Sequence, residues 1–351
     1  MDEPNSSRFA DTTVAGRMMN RESFTRVDES DDRHYYASDR FVQHLDTTAL
    51  TVVEDLIGEL IVEESPAILD LMAGSDCHLP STVGSSTVVG LGLNDDELRN
   101  NPRLTRFVVH DLNQISRIPF PDGEFHVVLN TVSVKYLTQP LEVFCEVGRV
   151  LKPGGLFLVI FSKRFFHPKV VKIWRELSEG ERISLVKEYF AAAGGFDEPK
   201  VFRAHGLPRP VGDRYSALGL PSDPVYAVYA DRSGAHRRPQ RPEITTMLDL
   251  PSQREALEVR KKEVKKTLCC PYCAEKLEKW TVPQHPFTQW DNEFMYLCFS
   301  NECPFYSRSW KTMARQGISG LSYRLMYNPE KDRCMAAPVP SLADKRTSLR
   351  G

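Results

Sequence analysis

Five short apolar runs separated by turn signals constrain this chain more than any other feature. They are Ala67-Ile68-Leu69-Asp70-Leu71-Met72, Thr87-Val88-Val89-Gly90-Leu91-Gly92-Leu93, Arg106-Phe107-Val108-Val109-His110, Phe125-His126-Val127-Val128-Leu129-Asn130 and Leu156-Phe157-Leu158-Val159-Ile160-Phe161. Each is too short for a typical helix and lacks the strict alternation of a half-solvated strand, the pattern of strands buried on both faces of a parallel sheet. Helical patterns stand around them. Phe41, Leu45, Leu50, Val53, Leu56, Ile57 and Leu60 recur three to five apart and predict a helix from Arg40 to Ser65-Pro66. Leu141, Phe144, Val147, Val150 and Leu151 predict another over 140–151, Lys169 to Phe190 predicts a third, and Val225 to Ala230 predicts a last strand. Strands alternating with helices imply an α/β fold with a doubly wound, mainly parallel sheet.

Charge and cysteine are unevenly placed. Residues 34–230 carry 19 bases and 25 acids, whereas 231–351 carry 21 bases and 14 acids. Six of the eight cysteines lie between 269 and 334. The expected organisation is a polar leader (1–30), an α/β domain (31–230), an Arg- and Pro-rich linker with a charged helix (231–265), a cysteine module (266–340) and a polar tail (341–351). The longest apolar run, Leu156 to Phe161, is far short of the roughly 20 residues that cross a bilayer. The first thirty residues lack a secretory h-region, and Asp2, Glu3 and Asp11 disfavour a transit peptide. The expected location is the cytoplasm, where clustered CxxC pairs more often hold metal than form disulfides.

Ligands of an open parallel sheet bind beyond the carboxyl ends of its strands. Here those ends carry Asp70 to Gly74, Leu93-Asn94, Asp111-Leu112 and Asn130. Three segments, Ile68-Leu69-Asp70-Leu71-Met72-Ala73-Gly74, Pro119-Phe120-Pro121-Asp122-Gly123-Glu124-Phe125 and Glu146-Val147-Gly148-Arg149-Val150-Leu151-Lys152-Pro153-Gly154-Gly155, resemble class I S-adenosylmethionine-dependent methyltransferases, most like the type 11 group. The resemblance spans about residues 34–230. It implies a Rossmann-like methyltransferase fold that binds S-adenosyl-L-methionine through Asp70, Met72, Gly74, Leu93, Asn94, Asp111, Leu112 and Asn130.

Two departures bear on that implication. The family's first loop reads D/E-x-G-x-G-x-G, whereas Met72 and Asp76 fill the outer glycine positions here and only Gly74 remains. The acid that grips the ribose at the end of the second strand is replaced by Gly92, with Asn94 two residues later and Asp95 and Asp96 beyond. The triplets Asp70-Leu71-Met72, Gly92-Leu93-Asn94 and Asp111-Leu112-Asn113 resemble a subgroup with a divergent loop. Two functions follow: a methyltransferase of unknown acceptor, or a catalytically silent scaffold of the same fold.

Methyl transfer needs in-line positioning and requires a base only when the acceptor must lose a proton. No catalytic residue is singled out. Before the first strand stand His34, Tyr35, Tyr36, Arg40, His44 and Asp46, of which Tyr36, Arg40 and His44 share a helical spacing of four. After the fourth strand stand Ser133, Lys135 and Tyr136, and after the fifth stand Ser162, Lys163, Arg164, His167 and Lys169. His110, at the end of the third strand, is expected to pack beside the cofactor.

The second site is Cys270-Pro271-Tyr272-Cys273 followed, 24 residues later, by Cys298-Phe299-Ser300-Asn301-Glu302-Cys303. Two such pairs can place four thiolates around one structural Zn²⁺. Cys270, Cys273, Cys298 and Cys303 are the expected ligands of a zinc ribbon, with Lys266, Lys276 or Lys279 offsetting its charge; Cys269 and His285 are not. The spacing loosely resembles the small zinc modules of phage late-transcription activators. Beyond it, Tyr306, Trp310, Tyr323 and Tyr327 interleave with Arg308, Lys311, Arg315 and Arg324. That pattern serves either the module's own core or contact with a protein or nucleic acid.

Overall fold

The computed structural model describes residues 13–37, 45–84, 86–210, 213, 220–235, 239–247, 250–282, 292–301, 303–306, 309, 313 and 321–340. Arg40, His44, His285, Arg308, Trp310, Lys311, Arg315 and the tail 341–351 lie outside them. The chain forms two compact units, Met1–Ala204 with Asp223–Met247, and His205–Ser222 with Leu248–Gly351.

The first unit opens with α1 (Val14–Met18) and α2 (Asp32–Tyr35), followed by the longer α3 (Thr47–Leu60). Then come β1 (Ala67–Leu71), β2 (Thr87–Gly92), α4 (Asp95–Arg99), β3 (Arg106–Val109), β4 (Phe125–Thr131), α5 (Pro140–Val150) and β5 (Leu151–Phe161). It closes with α6 (Lys172–Glu176), α7 (Glu179–Ala193), β6 (Lys200–Ala204) and β7 (Val225–Asp231). The seven strands lie in the order β3-β2-β1-β4-β5-β7-β6. β1 to β5 run parallel, while β7 is antiparallel to both β5 and β6. The strand order reverses between β1 and β4, the position at which open α/β sheets bind ligands. α5 and α7 cover one face, with Phe144 packed edge-on against Phe157, Tyr189 and Phe190 at 4.8 to 5.4 Å between ring centroids.

Four expectations change. Within the leader, residues 13–30 are built into the first unit: Met18 is buried in the main core and Asp28 N donates to Pro168 O at 2.9 Å. The predicted helix over 169–190 is two, because Leu177 is extended and Ser178 starts a fresh turn with a reciprocal capping box to Glu181. β6 is additional; it pairs antiparallel with β7. Finally, 239–247 is no free linker. Arg241 is almost fully buried and pairs with Glu63 at 2.6 Å and Asp231 at 2.8 Å, and Tyr229 Oη donates to Ile244 O.

The second unit contains α8 (Pro251–Thr267) and an antiparallel sheet of β8 (Glu278–Thr281), β9 (Phe294–Leu297), β10 (Leu321–Asn328) and β11 (Arg333–Pro340), in the order β11-β10-β9-β8. α8 belongs to this unit rather than to a linker. Val264 is fully buried among the four cysteines, Leu277, Leu325 and Tyr327, and Arg260, one turn earlier, donates to Pro271 O at 2.7 Å. No helix among the described residues is long and apolar enough to cross a membrane.

Candidate functional site

The carboxyl edge of the parallel sheet gathers buried polar groups that find no partner among the described residues. Asn130, 1% exposed at the end of β4, has no hydrogen-bond partner among the described residues for either side-chain atom. Thr131 Oγ1 beside it, Ser162 Oγ after β5 and Asp111 Oδ2 after β3 are equally buried and unpaired. Each such atom costs free energy unless something bonds to it. Burial raises the Asp111 carboxyl above the usual range, opposed by the Asn113 N–H and reinforced by Asp32 and Asp31. Asp70, at the end of β1, is enclosed, and burial together with the nearby Asp76 pushes its carboxyl well up. These groups fit a ligand that both donates and accepts along the strand ends, as the adenosyl and amino-acid parts of S-adenosylmethionine do.

The loop after β1 explains the missing acid. Met72 takes a left-handed conformation (φ 56°), and Ala73 N donates to Leu91 O at 2.9 Å. The loop therefore folds across the end of β2. A β-carbon on Gly92 would lie 2.2 Å from Ala73 O, so no side chain of any charge fits there. At Gly74 a β-carbon would meet the Glu97 carboxylate, with Oε2 at 3.1 Å. Asn94 is committed within the protein. It caps α4 by accepting from Glu97 N at 3.0 Å and donates to Tyr36 O at 3.0 Å. Leu93 is half-buried and Leu112 buried beside these ends.

The segment before α3 covers this edge. Asp32 is buried at the centre of a network: it accepts from Arg26 at 2.7 Å and Asn113 Nδ2 at 2.9 Å, and Lys169 Nζ stands 3.1 Å away. Asn113 Oδ1 in turn accepts from Thr138 N at 2.8 Å. Asn113, Asn101 and Arg26 were not singled out from the sequence. The Asp-x-Asn triplet that holds Asn113 was quoted only for its resemblance, and nothing local marks Arg26.

The catalytic candidates separate. Lys169 is wholly buried and bound to Asp28, Ser30 and Asp32, so it anchors the N-terminal segment. Arg164 pairs with buried Asp223 at 2.9 Å, and Asp46 and Asp223 each accept the other's backbone N–H. Tyr136 Oη accepts from Phe166 N at 2.8 Å. His110 Nε2 lies 2.8 Å from Ile115 O, Ser133 Oγ donates to Thr131 O, and His34, Lys163 and His167 are exposed. Lys135 is buried, its ammonium donates to Arg164 O, and burial with the nearby Arg182 charge lowers it to about 7. Tyr35 packs edge-on against Tyr36 at 5.0 Å and lies under the Lys169 ammonium.

In the second unit, Cys270, Cys273, Cys298 and Cys303 are all buried, with their sulfurs within 4.8 Å of one another. Cys270 and Cys303 sulfurs are 3.8 Å apart and those of Cys273 and Cys298 3.5 Å. Four thiolates at about 2.3 Å from a tetrahedral Zn²⁺ stand roughly 3.8 Å apart, so the set is compatible with that ion. The first knuckle is closed by Ala274 N donating to Cys270 O, with Ala274 left-handed. Arg324 holds the second, donating to Cys298 O and Ser300 O while stacking on Tyr306 at 4.0 Å. With Tyr327 also buried, these aromatic and basic residues serve the module's own core. Arg260 lies beside the cluster; burial lowers its pKa, and the charge of Cys270 partly opposes that. Lys276 instead donates to Thr267 O, and Lys279 stacks on Phe294. Cys269 Sγ donates to Thr267 O and stands outside the knot.

A mainly parallel sheet closed by an antiparallel pair has the Rossmann-like architecture that S-adenosylmethionine-dependent methyltransferases also use, and the second unit's four-cysteine cluster fits a small zinc ribbon. Residues 71–159 match the family model for the methyltransferase domain. A fatty-acid O-methyltransferase of Mycolicibacterium smegmatis is 40% identical over 91 residues, 24% of this chain and 32% of that protein. The chain thus spans about a third of that relative. A malonyl-[acyl-carrier protein] O-methyltransferase of a Marinomonas species is 22% identical over 206 residues, 54% of this chain and 73% of that protein. Among solved structures, an S-adenosylmethionine-dependent methyltransferase from Aquifex aeolicus is similar, with 20% identity, a TM-score of 0.37, and coverage of 53% of this chain and 94% of that one.

Proposed function

We propose that the first unit binds S-adenosylmethionine along the carboxyl ends of β1 to β4 and transfers its methyl group to an acceptor, while the second unit holds one structural Zn²⁺ through Cys270, Cys273, Cys298 and Cys303. The observation that carries the first part is the set of buried, unpaired atoms on Asp111, Asn130, Thr131 and Ser162. The cofactor supplies an electrophilic methyl group on a positively charged sulfur. Asp111 would accept from the adenine amine, Gly74 would let the backbone approach closely, and Asp70, Met72, Leu93 and Leu112 would wall the cleft. Asn94 supports the edge through Tyr36. The segment 31–37 would exclude water once a ligand is bound. Positioning supplies most of such a rate enhancement, so no proton acceptor is assigned.

The named relatives are both O-methyltransferases, which favours an oxygen acceptor. A carboxylate oxygen is already ionised at neutral pH and needs no base. The four-thiolate module leaves no open coordination position, and its role is then recognition of the substrate or of a protein or nucleic-acid partner. The cytoplasm, where thiols stay reduced, suits it.

The second reading is a silent scaffold presenting the zinc module. The closure of Ala73 over Gly92 favours it, because that contact removes the usual ribose acid. Calorimetric titration of the full chain with S-adenosylhomocysteine separates the two. Micromolar binding supports the enzyme; no binding at millimolar ligand overturns it.

A further inference from the structure

We propose that Lys135, Arg182 and Arg203, at the carboxyl end of β5, form a subsite for the carboxylate of the methyl acceptor, and that the acceptor carries this carboxylate on an apolar body. This rests on the methyl-transfer reading above and names the substrate class of that site.

Strand register assembles the group. Phe161, the last residue of β5, pairs with Tyr226 of β7, and Tyr226 pairs with Arg203 of β6. Directly paired residues share a face of the sheet, so these three side chains form one row. α6 and the start of α7 lie on that face. Trp174 packs edge-on against Phe161 at 5.1 Å, and Tyr226 Oη donates to Glu179. Arg182, in the first turn of α7, donates through Nε to Trp174 O at 2.9 Å. Its guanidinium stands 5.6 Å from the ring centres of both Trp174 and Phe165. Phe165 follows Arg164, whose carbonyl accepts from the Lys135 ammonium. Lys135 thus reaches the same cluster from the turn after β4.

The cations there lack counter-charges. Lys135 is 2% and Arg182 9% exposed, and neither they nor Arg203 form an ion pair among the described residues. The neighbouring carboxylates are engaged elsewhere: Glu179 by Tyr226 Oη, and Asp223 by Arg164 and the Asp46 N–H. Other buried cations of this unit do sit on carboxylates, Lys169 on Asp28 and Asp32, Arg241 on Glu63 and Asp231. An ammonium can donate three hydrogen bonds and a guanidinium five. Among the described residues the Lys135 ammonium has one hydrogen-bond partner, Arg164 O, and the Arg182 guanidinium has one, Trp174 O. Burial lowers the pKa of all three cations; Arg182 lowers Lys135 further, and Glu179 opposes the shift at Arg182 alone. The Trp174 indole N–H is one more buried donor with no partner among the described residues. Enclosed cations without a counter-charge are unfavourable, and a bound anion relieves them. Phe165 and Phe166, both half-buried, offer aromatic surface beside the cations for the apolar part of such a ligand.

The test is calorimetry on the zinc-loaded full chain, titrated with octanoate and with 1-octanol, each with and without S-adenosylhomocysteine. The wild type should bind octanoate about 10- to 100-fold more tightly than the alcohol, the range expected for hydrogen bonds between charged groups. Octanoate favours the charged ammonium, so its affinity should fall as the pH rises from about 6.5 to 8.5 through the lowered value of Lys135. The charged group facing Lys135 is Arg182 from α7, a guanidinium that stays protonated over that range. The loop after β5 presents the Arg164 carbonyl, and its own turn presents the Tyr136 ring. Lys135→Met should remove most of the preference for octanoate and flatten the pH profile, while leaving S-adenosylhomocysteine affinity unchanged. Lys172→Gln, at an exposed lysine of α6, should alter none of these. Equal wild-type binding of octanoate and octanol, or no binding of octanoate at millimolar concentration, overturns the proposal without any variant. So does a Lys135→Met protein that keeps the wild-type pH profile, or one that loses S-adenosylhomocysteine as strongly as octanoate, which would assign the cation to the cofactor. A wild type that fails to bind S-adenosylhomocysteine overturns the cofactor reading, while the octanoate titration without it still decides the subsite.

Discussion

The α-carbon of Gly92 lies against the carbonyl of Ala73, so closely that a β-carbon at 92 would stand 2.2 Å from that oxygen. The end of β2 and the loop after β1 are thus one packed unit, tied also by Ala73 N to Leu91 O. Met72 and Gly92, which read as two separate departures in the sequence, are one change in the structure. The left-handed Met72 turns the loop across β2, and glycine at 92 makes room for it.

Gly92→Ala should therefore destabilise the first unit by about 1–3 kcal/mol, the usual cost of forcing an extra methyl into a packed site. Gly92→Asp should not restore a ribose acid but displace the 72–74 loop further. Urea unfolding of both variants, followed by tryptophan fluorescence, checks this; wild-type midpoints would mean that the loop yields freely.

Asn130→Leu should separate stability from binding. The carboxamide is buried with no partner among the described residues, so an apolar replacement of similar size should raise stability by about 1–2 kcal/mol. The same variant should lose affinity for S-adenosylhomocysteine. Thermal melts with and without ligand read both effects, and a variant less stable than wild type without ligand would show that Asn130 supports the fold instead.

The sheet was legible because strands buried on both faces leave continuous apolar runs, as Val127 to Leu129 do. β6 was missed because Lys200-Val-Phe-Arg-Ala is short, charged at its start and recognisable only by its pairing to β7. Asp111 and Asn130 stand at the ends of β3 and β4, where the apolar runs placed them. The leader and the Arg- and Pro-rich stretch were misjudged for a common reason. Their anchors, Lys169 to Asp28 and Arg241 to Glu63, each pair a buried cation with a partly exposed carboxylate far away in sequence, which no local pattern reveals.

His126 gives the first unit an acid sensitivity. Its Nδ1 accepts from Ala67 N at 3.0 Å and its Nε2 faces Lys152 at 2.9 Å, and burial and then that ammonium lower its pKa below 6.5. A lowered folded-state value means the unfolded chain binds the proton more readily. The stabilising effect is complete above about pH 6.5 and is lost as pH falls through the lower folded value. The urea midpoint should drop between pH 7 and pH 5, and His126→Asn should flatten the share of that drop due to this ring. An unchanged slope in the variant would assign the sensitivity to other groups.

The second unit should depend on its metal. Its two apolar clusters are small: one is built from the four cysteines with Val264, Leu277, Leu325 and Tyr327, and the other around Trp280, Met295 and Met326. A core that counts its own ligands among its members cannot stay packed once those thiolates repel one another, and structural zinc in small modules supplies on the order of 10 kcal/mol. Elemental analysis should give one zinc per chain, falling to none in Cys303→Ser. Chelation should expose the amides of 264–280 and 294–303 to hydrogen exchange. The amides of β1, β4 and β5 should stay protected, because the parallel sheet has its own aliphatic and aromatic core. Cys269→Ser should retain the metal, since that thiol stands outside the knot. Protected 294–303 amides in a metal-free chain would refute the zinc assignment and leave four buried thiols needing another cause.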